Sequence, residues 1–435
     1  MRRALCACLF WTKATLALLL SMSGLGYMVW KIYVLHRDAV SNSPVLGPVA
    51  IDATRCLADA TGLSRLEPSA GRLLVGFHLD WSKQTPKDIR TLAGFAPAVT
   101  NAFMRLDPSL SQPFDYDLLT WHVWQVSLVG GIFELTIEPM AIDTTSDAIL
   151  DQLAQTLRDL NSKYGVPILL RYGHEMNGDW TVYGYKPAQY KSGFIKMAKL
   201  VRQYTNMTAM VWAPNLGVTY PFIDTGSVST LPTAASDPTN FALLDTNGDG
   251  KITSLDDPYG PYYPGDEYVD WVGLSLYWYP DATTGYNAVP PSGYFTDMLH
   301  GSGTNALNSN PLLANDNGLH DFYGRFAHAK SKPFLLPETS APYISSQTLS
   351  GSVTELAIKQ TWWQQIFVAA KDMPLFKIAV FFEELKVDDQ VRDWRMLANS
   401  TVRPAFLADQ TLGGTAYAHA EDLKFTCAGA VTFSS

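Results

Sequence analysis

Two glutamates, Glu175 and Glu338, each follow a short apolar stretch and are the side chains in this sequence best placed for acid–base and nucleophilic chemistry. A pair of carboxyl groups roughly 5–5.5 Å apart can cleave a glycosidic bond with retention of configuration, because one attacks the anomeric carbon while the other protonates the leaving oxygen. A single glutamate after a strand is commonplace. The hypothesis of a catalytic pair therefore requires both residues to converge on one site.

A second chemical motif lies at 245–256, where Asp and Asn alternate with other residues and Gly250 occupies the sixth position. This spacing reproduces a calcium loop, in which side-chain oxygens bind at positions one, three, five and twelve and a main-chain carbonyl binds at position seven. The predicted calcium ligands are Asp245, Asn247, Asp249, Lys251 through its carbonyl, and Asp256. Position twelve is Asp rather than Glu, which shortens the last ligand. A polar turn without a metal is the alternative.

Eight short stretches rich in β-branched and aromatic residues alternate with longer amphipathic stretches. Such alternation is typical of βα units around a parallel sheet, and eight units predict a closed (β/α)8 TIM barrel. The predicted strands are 73–78, 99–105, 132–138, 167–171, 209–213, 271–277, 333–336 and 377–382, and the clearest helices are 147–163, 187–204 and 354–371. Because barrel enzymes carry their active sites at the carboxyl ends of the strands, we expect Glu175 and Glu338 at the mouth.

Polar and aromatic side chains follow several of these strands. The candidates for contact with a substrate are His78, Arg171, His174, Trp180, Trp212, Tyr277 and Trp278. The connections 215–270 and 280–318 are too long to be simple turns, and loops of this size inside a compact domain are usually functional. We expect both loops to form walls of the site.

The alternation of side chains along a strand predicts which of them face each other. Arg171 and Glu175 are expected on one face of the fourth strand, and Phe334, Leu336 and Glu338 on one face of the seventh. Arg171 is then a candidate donor to Glu338, since an ionised nucleophile needs hydrogen-bond donors. A structural ion pair inside the barrel is the alternative for Arg171.

The overall composition excludes several classes of protein. Apolar residues make up 47% of the 435 residues, which is enough for a large core and excludes global disorder. The formal net charge is −9, and no basic block follows the extreme N-terminus, so nucleic-acid binding is set aside. Twelve Trp and 21 Tyr supply flat rings of the kind on which sugars stack, although most such rings belong to ordinary cores.

The N-terminus differs in kind from the rest of the chain. Three basic residues precede an uncharged apolar run at 14–30, which predicts entry into the secretory route. The apolar stretch nearly spans a bilayer, so we expect an uncleaved single-pass membrane anchor with an extracellular catalytic part. Cleavage near Ser23, followed by secretion, is the alternative. The predicted segments are an anchor at 1–38, a stem at 39–70 and a catalytic barrel at 71–435.

Cysteines and glycosylation sequons agree with a location outside the cytoplasm. Cys56 and Cys427 flank the folded part and are candidates for a disulfide that ties its two ends, with two free buried thiols as the alternative. Asn206 and Asn399 each begin an Asn-x-Ser/Thr sequon, a signal that is weak for any single site.

The segment 171–180, Arg-Tyr-Gly-His-Glu-Met-Asn-Gly-Asp-Trp, resembles the acid/base motif of glycoside hydrolase family 26, which contains retaining β-mannanases and related β-glucanases. The resemblance continues through 211–215, 270–277 and 332–340 and spans essentially 71–399. The motif at the end of the fourth strand is long and unusual, whereas the Pro-Glu-Thr-Ser element of the seventh strand is informative only at its expected place.

The resemblance implies roles for individual residues. Glu175 would be the acid/base and Glu338 the nucleophile, with Tyr277 as a hydrogen-bond donor to the nucleophile. His174 would position the catalytic groups; its alternative is a plain packing histidine. Trp180 would stack beneath the sugar that is cleaved, and its ring is also the apolar surface that we expect beside Glu175.

The sequence departs from the commonest family pattern at two places, and both concern sugar binding. Fewer aromatic residues follow Trp180 than expected, and the third strand ends at Glu138, where mannan-active members often carry histidine and some glucan-active members glutamate. We expect a monomeric endo-β-1,4-mannanase without a catalytic cofactor, and mixed-linkage β-glucan is the alternative substrate. A non-catalytic cell-surface glycan-binding barrel and a calcium-regulated adhesion protein are hypotheses from other classes.

Overall fold

The computed structural model describes residues 63–68, 71–222, 228–280, 285–302, 318–347, 353–388, 390–410, 416–425 and 431–433. The predicted anchor at 1–38, most of the predicted stem, Cys56 and Cys427 lie outside these ranges, so the anchor and the disulfide stay predictions. Within the described ranges, none of the helices combines the length and apolar character needed to span a bilayer.

Eight parallel strands close into a barrel, as predicted. Each strand pairs with the next, and β1 also pairs with β8, from Leu74 opposite Ile378 to Leu79 opposite Glu383. The strands are β1 (Arg72–Leu79), β2 (Val99–Leu106), β3 (Ile132–Pro139), β4 (Ile168–Tyr172), β5 (Thr208–Trp212), β6 (Trp271–Gly273), β7 (Phe334–Thr339) and β8 (Phe376–Glu383). The predicted (β/α)8 TIM-barrel fold is confirmed.

Helices separate most of the strands and begin at recognisable N-terminal signals. Ser146 caps the helix after β3 by accepting the N–H of Ile149, and Thr354 caps the helix before β8 by accepting the N–H of Ala357. The helices are α1 (Pro86–Ala93), α2 (Tyr116–Ser127), α3 (Asp147–Tyr164), α4 (Pro187–Tyr204), α5 (Pro238–Leu244), α6 (Tyr294–His300), α7 (Glu355–Asp372) and α8 (Val402–Asp409), together with a π-helix at Tyr323–His328.

The sixth strand is much shorter than predicted. The ladder of β6 stops at Gly273, yet the chain stays extended beyond it. Ser275 forms an isolated bridge with Asn215, and the N–H groups of Leu276 and Trp278 bond to carbonyls of the β7 side. This segment therefore lies against the end of β7 without forming a continuous ladder.

Two apolar layers follow from the alternation of side chains along the strands. Residues of one face pack outward against the helices, as Val75 and Leu170 do, and residues of the other face fill the barrel, as Leu74 and Leu169 do. The interior layer changes from apolar to polar towards the carboxyl ends of the strands. This change places the polar site at the mouth of the barrel.

The last part of the chain closes the opposite end of the barrel. After β8, the antiparallel pair β9 (Leu385–Val387) and β10 (Val391–Asp393) precedes α8. The strand β11 (Ala416–Ala418) pairs with the first residues of β1, and the antiparallel pair β12–β13 (Leu423–Phe425 and Val431–Phe433) meets residues 63–68 through a bridge between Val431 and Pro68. Leu66, from the end of the predicted stem, is 1% exposed and belongs to the same interior core. Residues 63–68 are thus part of the barrel's base.

The two glycosylation sequons do not present free asparagine side chains. Asn206 is 3% exposed, and its side-chain oxygen accepts a hydrogen bond from Arg65. Asn399 donates to Glu355 and accepts from the N–H of Thr401. The sequons therefore give no structural support to glycosylation, because an acceptor asparagine must be accessible.

Candidate active site

A single buried guanidinium lies between the two predicted catalytic glutamates. Arg171, on β4, is fully buried; its Nη1 donates a short hydrogen bond to Glu338, and its Nη2 lies 4.0 Å from Glu175. Nη2 also donates to the hydroxyl of Ser275, at 2.5 Å. The structure thus brings Glu175 and Glu338 to one place at the barrel mouth, and Arg171 forms the predicted contact with Glu338.

The position of Glu338 depends on an irregularity in β7 that simple alternation does not predict. Phe334 and Leu336 belong to the outer layer that faces the helices, whereas Leu335 faces the barrel. The expectation that Phe334, Leu336 and Glu338 share a face is therefore wrong. The pairing register between β7 and β8 shifts between Leu336 and Thr339, around Pro337, and this shift turns Glu338 inward.

Glu338 has two hydrogen-bond donors, one for each carboxylate oxygen. Arg171 bonds to Oε1, and the hydroxyl of Tyr277 donates to Oε2 at 2.9 Å. Burial, together with the negative charge of Glu338, raises the pKa of Tyr277 well above its usual range, so the phenol remains a donor at any physiological pH. The arrangement suits a carboxylate that is oriented for attack.

Glu175 sits in a tight turn after β4 with a left-handed backbone. Its φ is 51°, a region that non-glycine residues seldom adopt and that is common at functional sites. The indole Nε1 of Trp180 donates to Glu175 Oε2 at 2.7 Å, and the indole lies directly against Gly178, where a Cβ would collide with the ring. Trp180 also meets Phe222 edge to face. Trp180 thus lies beside Glu175 as predicted, but the contact is a hydrogen bond from the indole N–H rather than the apolar surface that was predicted.

His174 is a buried neutral imidazole. Its Nδ1 lies 3.0 Å from the hydroxyl of Tyr183, and its ring packs edge-on against Phe103. Burial, reinforced by the positive charge of Arg171, lowers the pKa of His174 to about 3. A neutral ring wedged between two aromatic residues is suited to fixing the turn that carries Glu175.

His78 lies at the end of β1, where its ring meets Phe103 edge to face, the same ring that packs against His174. Its Nδ1 is 2.7 Å from the side-chain oxygen of Asn101, and its Nε2 is 3.4 Å from a carboxylate oxygen of Glu384. The imidazole stacks on Phe382 with 4.5 Å between ring centroids. Phe382 also meets Tyr277 edge to face, so these rings are continuous with the surroundings of Glu338.

Two predicted substrate contacts are wrong. Trp212 is fully buried in the outer layer and stacks on Phe322, because Val211 rather than Trp212 is the inward-facing residue of β5. Trp278 is 5% exposed; its Nε1 donates to the carbonyl of Ala288, and its ring packs against Tyr294 of α6. Both indoles hold loops and helices in place behind the site.

Ser275 and Phe382 are site residues that the sequence analysis missed. Both could have been found from the alternation of side chains, because residues two apart on an extended chain face the same side. Ser275 lies two residues before Tyr277, and Phe382 lies two residues before Glu384. The neighbouring Glu383 has a different role, because it is fully buried and accepts the N–H groups of Met396 and Leu397.

The first three predicted calcium ligands lie around a single turn. The N–H of Asp249 donates to the side chains of Asp245 and Asn247, at 3.0 and 2.9 Å, and the N–H of Lys251 donates to Asp249. Gly250 has a φ of 83°, which permits the sharp bend. The turn presents only oxygen donors, which is the chemistry that calcium prefers.

The last predicted calcium ligand is engaged differently. Asp256 is fully buried, and its carboxylate accepts the N–H groups of Thr246, Asn247 and Thr253. The side chain thus closes the loop through the main chain. In the described part of the chain, no group of three or more His, Cys, Asp or Glu side chains is placed to hold a metal ion. Calcium binding stays a prediction.

Comparison with known proteins finds a family match over the segment that carries the turn of Glu175. The sequence model of glycosyl hydrolase family 26 matches residues 133–222, from β3 through the turn of Glu175 to the loop after β5. The predicted resemblance to glycoside hydrolase family 26 is confirmed. No curated protein sequence matches the chain.

Solved structures of family 26 share the fold. A modular endo-β-1,4-mannanase from Cellulomonas fimi is 15% identical, with a TM-score of 0.50; the match covers 88% of this chain and 79% of that one. A family 26 β-mannanase from Bacteroides ovatus is also 15% identical, with a TM-score of 0.49, and the match covers 81% of this chain and 91% of that one. At this identity the likeness to the Cellulomonas fimi enzyme shows the barrel fold alone.

Proposed function

We propose that the protein is a retaining glycoside hydrolase in which Glu338 is the nucleophile and Glu175 the acid/base. The observation that carries the proposal is the geometry around Arg171, which places both carboxyl groups beside one guanidinium. Such neighbours suit a double displacement, which requires carboxyl groups roughly 5–5.5 Å apart. The number of donors supports the two roles, since Glu338 receives hydrogen bonds from Arg171 and Tyr277 while Glu175 receives one, from the indole N–H of Trp180.

The proposed reaction proceeds in two steps. Glu338 attacks the anomeric carbon, and the bond between that carbon and the leaving oxygen breaks as Glu175 gives its proton to the oxygen. The products are a glycosyl ester of Glu338 and a carboxylate at Glu175. Water then attacks the same carbon, Glu175 takes up one proton of the water, and Glu338 is released with overall retention.

Arg171 takes part in this cycle as a fixed positive charge and exchanges no proton. In the resting site its charge is balanced by Glu338, and in the glycosyl-enzyme that balance is lost because the ester is neutral. Glu175 is by then ionised and lies 4.0 Å from Nη2 of Arg171. The guanidinium therefore faces one carboxylate at each stage, which keeps the buried charge paired.

We propose β-1,4-mannan as the substrate, with endo cleavage. The support is the family 26 match, together with the fact that the Cellulomonas fimi neighbour is described as an endo-β-1,4-mannanase. Mixed-linkage β-glucan remains the second candidate, because Glu138 lies near the end of β3, where some glucan-active members of the family carry glutamate. Defined mannans, glucans and xylans compared by the release of reducing ends would distinguish the two, and a 10-fold preference for glucan would contradict the mannanase proposal.

The roles of the two glutamates can be tested separately. Glu175→Ala should lower the cleavage of polysaccharide by about 10²–10⁴-fold, the usual contribution of a general acid. An aryl glycoside with an acidic leaving group needs no such proton, so its first step should survive and produce a burst. Added azide should then accelerate turnover and give a glycosyl azide of retained configuration.

Glu338→Ala should behave differently from Glu175→Ala. It should form no covalent intermediate, show little activity on either substrate, and give only an azide product of inverted configuration. Glu267→Ala, at an exposed glutamate, is the matched control. Wild-type activity in either catalytic variant, or an inverted product from the intact enzyme, would contradict the assignment. A non-catalytic glycan-binding barrel would bind the polysaccharide and cleave none of these substrates.

A further inference from the structure

A third glutamate lies inside the barrel below the two proposed catalytic residues. Glu134 is fully buried on the inward face of β3, in register with Asn101 of β2 and Leu169 of β4. Neither of its carboxyl oxygens has a hydrogen-bond partner of good geometry, and the Nε of Arg171 also lacks one. Two unpartnered polar groups thus face the same interior, and the mechanism proposed above uses neither.

The charges around Glu134 show why its protonation state matters. The groups that face it are Arg171 from β4, Glu338 from β7 and the Asn101 amide from β2. Glu138, Glu175 and Tyr277 interact with this cluster through Arg171 and Glu338. In the mechanism proposed above, Arg171 already has Glu338 as a counter-charge before the reaction begins. An ionised Glu134 would add a second anion that is fully buried inside the barrel.

The energetics favour the neutral acid. Burial, together with the charge of Glu338, raises the pKa of Glu134 to about 8, against the opposing effects of Arg171 and Asn101. A buried carboxyl group that keeps its proton avoids the cost of an unpaired charge. The buried position of Glu134 and the charges around it therefore both favour its protonated form.

We propose that Glu134 is a positioning residue, held as a neutral carboxylic acid so that the charge of Arg171 is directed undivided at the nucleophile Glu338. The inference rests on the proposed function and deepens it. When Glu134 ionises in alkali, its charge competes with Glu338 for Arg171. The guanidinium then holds the nucleophile less firmly, and formation of the glycosyl-enzyme slows.

The test measures formation of the glycosyl-enzyme without any contribution from the acid/base Glu175. In a Glu175→Ala background, the burst with 2,4-dinitrophenyl β-mannobioside, or with the β-cellobioside if glucan is the substrate, reports attack by Glu338 without titration of Glu175. We expect the burst rate to fall at least 10-fold as the pH rises through about 8, the pKa of Glu134. Adding Glu134→Gln, which mimics the neutral acid, should keep the rate level to pH 10.

The control is Glu267→Gln in the same background, at an exposed glutamate outside the site. This variant should retain the alkaline fall. Circular dichroism at each pH excludes unfolding as its cause. A level profile in Glu175→Ala alone would overturn the inference without any Glu134 variant, and so would an identical fall with Glu134→Gln. If the burst is normal and either of these two pH profiles is found, only the inference about Glu134 fails and the proposed function stands. If the intact enzyme shows no turnover, the proposed function and the inference about Glu134 both fail.

Discussion

The buried carboxyl group of Glu383 predicts a pH-dependent stability that a single substitution removes. Glu383 ends β8, is fully buried, and accepts the N–H groups of Met396 and Leu397 at 2.6 and 2.9 Å. Burial raises its pKa from 4.5 to about 7, against the lowering effect of those two hydrogen bonds. The change to test is Glu383→Gln, which keeps the shape and removes the titration.

The sign and the size follow from proton linkage. Because the folded pKa of Glu383 lies above the unfolded one, the native state binds its proton more tightly, and the free energy of unfolding falls as the pH rises from 4.5 through about 7. At 1.36 kcal/mol per pKa unit, the full loss is roughly 3 kcal/mol. The glutamine variant lacks this loss. It carries instead a cost of about 1–3 kcal/mol, the same at every pH, because its NH2 group cannot accept a main-chain N–H.

The assay is urea unfolding of wild type and Glu383→Gln between pH 5 and pH 8, with fluorescence and circular dichroism required to coincide. The difference in unfolding free energy between the two proteins should shift in favour of the variant by about 2–3 kcal/mol across this range. Glu267→Gln, at an exposed position, should follow the wild type. A constant difference between Glu383→Gln and wild type at every pH would refute the reasoning.

The remaining predictions concern calcium and the N-terminus. Calcium should raise the melting temperature and a chelator should lower it, because a ligand that binds only the native state stabilises it by mass action. Asp245→Ala combined with Asp249→Ala should abolish the response, whereas Lys251→Ala should keep it, since only the main-chain carbonyl of Lys251 is a predicted ligand; a melting temperature indifferent to calcium contradicts the site. The full-length protein should sediment with membranes and resist carbonate extraction, and a mature N-terminus near Gly24 would instead establish a cleaved signal.

The eight strands were predictable because β-branched runs with polar ends are a local signal that long-range packing did not override. The proximity of Arg171, Glu175 and Trp180 was predictable because these residues stand at short spacings along the chain. The face of Glu338 was not predictable, because it depends on a register shift between two strands that are distant in sequence.

Aromatic residues at strand ends carry less information than polar ones. A tryptophan can pack either inside the barrel or between the strands and the helices. Sequence alone therefore did not show that Trp212 and Trp278 point towards helices. Glu134 also gave no signal, since a charged residue in a strand usually reads as solvent-facing. Its fully buried position follows from the barrel's closure, a property of the whole chain.

The pairing of β1 with three strands, β2, β8 and β11, has a consequence for synthesis of the chain. β1 emerges first from the ribosome, yet its partner β8 follows about three hundred residues later and β11 later still, a separation that slows folding. Until then β1 presents an unpaired edge, which is a template for pairing with other chains. A protein truncated before Phe376 would keep that edge for its lifetime, so incomplete translation products should aggregate rather than form partial barrels.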